Sequence, residues 1–72
     1  MDPNANLVEQ AALLGTQDRH ELRRLGELRR ALQAWLSGGG FAPDAATPAL
    51  TSALKEYRAW ARRSAKFQDL AR

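Results

Sequence analysis

Apolar residues recur along this chain at intervals of three and four, the period of an amphipathic helix, and not at the alternating spacing of a strand. The β-branched and aromatic runs that mark strands are missing. Alanine, leucine, arginine, glutamate and glutamine, all good helix formers, fill the sequence instead. Three helical segments follow. The first spans about residues 3–14. Asp2 is placed to cap it, with Pro3 at the first helical position. A later start, with Asn6 as cap and Glu9 three residues on, fits as well. Leu7, Ala11 and Leu14 line one side, flanked by Val8 and Ala12, and Gly15 ends the segment. Leu13 falls off that stripe, where it is either exposed or in contact with a partner.

The second segment covers about residues 18–37. Asp18 followed by Glu21 is a capping-box spacing, and Thr16 is a competing cap. Leu22, Leu25, Leu28, Leu32, Trp35 and Leu36 fall within an arc of roughly 140°. Arg19, Arg23 and Arg30 lie opposite, and Glu27 is within reach of Arg23 or Arg30. The repeat ELRRLG–ELRRAL is not a stripe, because six residues leave about 120° of drift around a helix. Arg29 lands at the edge of the apolar arc, where its stem is expected to lie on the core with its head in water. The third segment runs over about 48–70, with Thr47 as cap and Pro48 at the first helical position. Leu50, Ala53, Leu54, Tyr57, Trp60, Ala61, Ser64, Phe67 and Ala71 make its apolar arc, and Lys55, Arg58, Arg62 and Lys66 run down the other side. Between these two helices lies WLSGGGF, residues 35–41. It is expected to be a helix stop, with Phe41 folded back on the core near Trp35 and Pro43 delaying the next helix. A free linker is the alternative. The expected fold is all-α, a single-domain three-helix bundle, with the last two helices as an antiparallel hairpin and the first packed across them.

Composition narrows the chemistry. A chain of 72 residues is one domain at most and has a thin core. It has no cysteine, so no disulfide or thiolate metal site supports it. His20 is the one histidine, which rules out a histidine cluster, and its place on the polar side of the second helix reads as surface. No serine or threonine has a base and an orienting carboxylate in pattern; most read as caps, turns or helix surface. The triple glycine lacks the lysine and the preceding strand of a phosphate loop. No cofactor, metal or small-molecule substrate is therefore expected, and no catalysis. The start of the chain lacks a basic, apolar leader, and no apolar run approaches the ~18 residues of a membrane span. A cytoplasmic protein without membrane contact is the expectation.

The net charge is +3, and nine of the eleven basic residues are arginine, a usage that GC-rich genomes favour. Basic and aromatic residues interleave in YRAWARRSAKF, yet on the helix they separate to opposite sides. What remains for a polyanion is the ridge Lys55, Arg58, Arg62 and Lys66, about 17 Å long. The same pattern also describes a solvated helix face. The aromatic arc is ordinary core or, at its edge, a contact surface, for which Trp60, Phe67, Leu13 and Leu70 are the candidates.

Two pieces, Met1-Asp2-Pro3-Asn4 and the spacing W-L-x-x-G-G-F-x-P over residues 35–43, resemble a group of short uncharacterised reading frames. That group occurs in GC-rich bacteria and their phages and mobile elements. The resemblance covers residues 1–43 and implies a small bacterial or phage protein; it brings no activity, cofactor or site residue. The sequence thus leads to a non-catalytic interaction protein that binds another protein or itself through apolar helix surface. A small nucleic-acid-binding protein using the basic ridge is the alternative.

Overall fold

A computed structural model describes the backbone of residues 1–70 and the side chains of residues 1–65. It is all-α: α1 spans Pro3–Ala12, α2 Arg19–Ser37 and α3 Pro48–Leu70. Local chemistry sets each start. The Asp2 carboxylate accepts the N–H groups of Asn4 and Ala5 at 2.9 and 3.2 Å, with Pro3 at the first position. Asn6 is therefore not a cap but a residue inside the helix. Asp18 accepts the Glu21 N–H at 2.9 Å. The reciprocal half of that box is relayed through the competing cap. The Thr16 hydroxyl accepts the Asp18 N–H and donates to the Glu21 carboxylate. Thr47 accepts the Leu50 N–H at 3.2 Å ahead of α3.

The ends differ more from expectation. α1 stops at Ala12, two residues early, because Leu13 turns its N–H back to Gln10 and Ala11 and takes the capping place. α2 ends as a Schellman motif. Gly40 donates to the Trp35 carbonyl at 2.9 Å and Gly39 to that of Leu36 at 3.1 Å, with Gly39 at φ +92°. The triple glycine is thus a built turn. Gly40 lies against the indole of Trp35, so that a Cβ there would occupy the ring's own space. The indole N–H donates to the Phe41 carbonyl at 3.0 Å, and the two rings meet edge to face at 5.7 Å. Phe41 does fold back to Trp35. It stops there, 67% exposed, and does not reach the core.

α1 runs antiparallel to α2: Asn6 pairs with Leu28, and Glu9 with Arg24. The turn after α2 then returns to the start of α1, where the Asn4 side-chain oxygen accepts the Asp44 N–H at 2.7 Å. α1 touches both long helices extensively, while α2 and α3 touch each other least. The short helix is therefore the piece on which the other two rest. The core is Leu7 from α1, Leu25, Leu28 and Leu32 from α2, and Ala53 and Tyr57 from α3. The expected arc of α3 is realised over its described length, with Leu50, Leu54, Trp60, Ala61 and Ser64 half-buried around Ala53 and Tyr57. One molecular dimension is only 19 Å, about two helix diameters, so every helix keeps an outer face.

Candidate interaction surfaces

The buried side of α1 carries Pro3, Asn6, Leu7 and Gln10. Two of these four are amides. Asn6 Nδ2 donates to the Leu28 carbonyl at 3.0 Å, and Gln10 Nε2 donates to Asn6 Oδ1 at 2.7 Å. The Gln10 Oε1 atom is buried without a donor among the described residues. The opposite side of the same helix carries Ala5, Val8 and Ala12, all exposed, and Met1 is exposed ahead of it. At 100° per residue those three fall within an arc of about 60°, diametrically opposite the buried set. The inner side of α1 thus mixes two amides with Leu7 and Pro3, while Ala5, Val8 and Ala12 face outward. The expectation that Val8 and Ala12 flank the core stripe is overturned, because Asn6 and Gln10 take those flanks.

Other apolar side chains also reach the surface. Leu22, expected in the core arc, is 49% exposed at the first turns of α2. Of the contact candidates, Leu13 is half-buried at the end of α1. Trp60 is half-buried too and rests on Tyr57, with ring centroids 5.9 Å apart. The side chains of Phe67 and Leu70 lie outside the described residues. The large apolar side chains exposed among the described residues are therefore Met1, Val8, Leu22 and Phe41. Val8 was legible only once Asn6 and Gln10 were recognised as the inner face, and the signal available was their i, i+4 spacing around Leu7.

Charge is distributed unevenly. Residues 1–18 hold three acidic residues and no basic one; all eleven basic residues follow. Arg24 is the paired cation of α2. It holds the Glu9 carboxylate with Nε at 2.5 Å and Nη2 at 3.0 Å, and lies 3.5 Å from Glu27. Glu27 thus meets Arg24, in place of the Arg23 or Arg30 that its helix spacing had suggested. The hydrogen bonds from Arg24 hold the Glu9 carboxyl below the usual carboxylate range, against a smaller opposing effect of desolvation. Arg29 is half-buried, and its Nε, expected with the rest of the head in water, is instead buried with no partner among the described residues. Desolvation lowers its pKa, with the Glu56 charge opposing and that of Arg63 adding to the effect.

On α3, Lys55, Arg58 and Arg62 are exposed on the side away from Ala53 and Tyr57. None of the three makes an ion pair among the described residues. The Lys66 side chain lies outside them. His20 is exposed in the first turn of α2. The described residues enclose no pocket and gather no group of three metal-ligating side chains. No helix among them is long and apolar enough to cross a membrane. No family model, curated protein or solved structure matches the chain.

Proposed function

We propose that this is a non-catalytic interaction protein, acting in the cytoplasm, that binds another protein or itself through apolar helix surface. One observation carries this reading: Val8 and Phe41 are exposed at 55% and 67% while the amides of Asn6 and Gln10 are buried. Exposed Val8 and Phe41, with two amides taking inner positions of α1, support contact with a second apolar surface. The surface differs from the one expected around Trp60 and Leu13, since those residues lean on the molecule's own core. The test is association measured by light scattering and by cross-linking in cell extract. Wild type is compared with a Val8→Glu, Leu22→Glu, Phe41→Ala variant whose helicity is checked by circular dichroism. Association that survives high salt and disappears in the folded variant supports the reading. Association unaffected by the variant overturns it.

A second reading has its own observation. Lys55, Arg58 and Arg62 form an exposed basic row without acidic partners among the described residues. Such a row supports contact with a nucleic-acid backbone without base reading. If three phosphates were neutralised on duplex DNA, the logarithm of the affinity would fall with the logarithm of salt at a slope of about −2.7. Arg58→Glu with Arg62→Glu would then abolish binding, and a salt-independent response would exclude it.

A further inference from the structure

α2 carries a basic row of its own. Arg19, Arg23 and Arg30 are exposed and make no ion pair among the described residues. At 100° per residue they fall within an arc of about 40°, opposite the buried Leu25, Leu28 and Leu32. The row is about 17 Å long. Gly26 leaves its middle open. The Arg30 guanidinium lies over that glycine, where a Cβ would stand 3.3 Å from Nη1, and so turns back toward Arg23. The acidic residues do not offset the row. Asp2 and Asp18 cap helices, Glu21 is held by Thr16, and Glu9 and Glu27 both meet Arg24. A solvated helix face commonly alternates in charge along its length. This face has one sign only, like the row Lys55, Arg58 and Arg62 on α3.

We propose that the two rows are separate contact faces for duplex DNA, so that one chain bridges two duplex segments. This rests on the nucleic-acid reading above and adds the α2 row to it. Each row lies opposite the buried residues of its helix, and those residues share one core. α2 and α3 meet each other least, and each packs more on α1. The rows therefore face away from each other, and a straight duplex laid on one does not reach the other. The smallest dimension of the molecule, 19 Å, exceeds the Debye length of about 10 Å at 0.1 M salt, so duplexes on the two faces repel each other little. Both rows consist of donors without acceptors. That suits phosphate oxygens and not the 2′-hydroxyl contacts by which RNA duplexes are read. Tyr57 and Trp60 turn inward from the α3 row, so no stacking platform for single strands accompanies it.

Co-capture tests this. A fluorescent duplex is recovered with an immobilised duplex of different sequence in the presence of the full chain. Wild type is expected to recover it, and recovery should fall with salt on a log–log slope of about −2.7, that of three phosphates at the second face. Arg23→Gln with Arg30→Gln should lose co-capture while affinity for a single duplex, held by α3, persists. Ala5→Glu with Ala12→Glu lowers the net charge by the same amount at exposed positions of α1 and should keep co-capture. Circular dichroism confirms the helicity of both variants. Single-duplex binding without co-capture overturns the bridging and leaves the nucleic-acid reading standing, whereas no binding to DNA overturns both. Co-capture that survives Arg23→Gln with Arg30→Gln overturns the α2 face, since a self-associating chain with one row would behave so. Equal loss in the two variants overturns it as well. Clustering of anionic phospholipid vesicles without co-capture of duplexes overturns DNA as the partner.

Discussion

Gly40 shows how a single atom can decide a turn. Its hydrogen completes the stop of α2 while the indole of Trp35 covers it, and any Cβ would sit inside that ring. Gly40→Ala must push Trp35 off its bond to the Phe41 carbonyl. The expected loss is about 1–3 kcal/mol, measured by denaturant unfolding, with the tryptophan emission of the folded state altered as well. Glu9 is decisive in another way. Its folded pKa lies below the ordinary value of 4.5 because Arg24 hydrogen-bonds to it. Its contribution to stability is thus fully present above pH 4.5 and is lost as pH falls through the lowered value. Thermal unfolding followed from neutral pH downward should show this acid limb in the wild type. In Glu9→Gln the limb should be weaker, and neutral-pH stability should fall slightly. An unchanged limb would show that other carboxylates govern it.

At the scale of the element, α1 is held to α2 by polar specificity as much as by apolar area. Asn6 and Gln10 form a chain of amides that ends on the Leu28 carbonyl in the middle of α2. That carbonyl helps to fix the register between the two helices, since a slip by one turn takes Asn6 Nδ2 away from it, while the Gln10–Asn6 bond lies within α1. Asn6→Ala should cost about 1–3 kcal/mol, because Gln10 is then stranded. Adding Gln10→Leu should recover part of that loss, as the orphaned oxygen and the stranded amide go together. A double-mutant cycle on unfolding free energies measures the coupling. Strict additivity would mean that the amide chain carries no joint energy. The capping residues were plain in the sequence, and Asp2, Asp18 and Thr47 all do what their positions imply. The inner face of α1 was not plain, because periodicity counts apolar residues and this helix buries two amides.

Across the whole molecule, α1 is the keystone. The long helices meet each other least, each packs more on α1, and Leu7 of α1 is fully buried. Removing its side chain leaves a cavity. Leu7→Ala should cost about 2–5 kcal/mol. A domain this small has a total stability of only about 5 kcal/mol or a little more. The variant should therefore be largely unfolded at body temperature, seen as lost helicity and a broadened melt. A well-folded Leu7→Ala would show that α2 and α3 form a stable pair without α1. The expectation of a hairpin with a helix laid across it had the right three elements. It placed the weight on the long pair because their apolar arcs are the richer, whereas the structure divides those arcs around α1. The basic ridge of α3 was legible throughout its described length, because charge opposite an apolar arc must face water.

Helix number, helix starts and the glycine stop were determined by sequence, since each depends on residues within a turn or two of one another, whereas α1 ends two residues earlier than its pattern implied. The apolar faces of α2 and α3 were determined too, because a 3.6-residue period allows one burial. Tertiary structure alone decided which side of α1 is inner and where its start is tied. Those outcomes depend on the Leu28 carbonyl and the returning Asp44 loop, each 20 or more residues distant in the chain from its partner on α1. Hydrogen bonds made across such separations leave no periodic trace. By giving inner positions of α1 to two amides, they leave Ala5, Val8 and Ala12 facing outward.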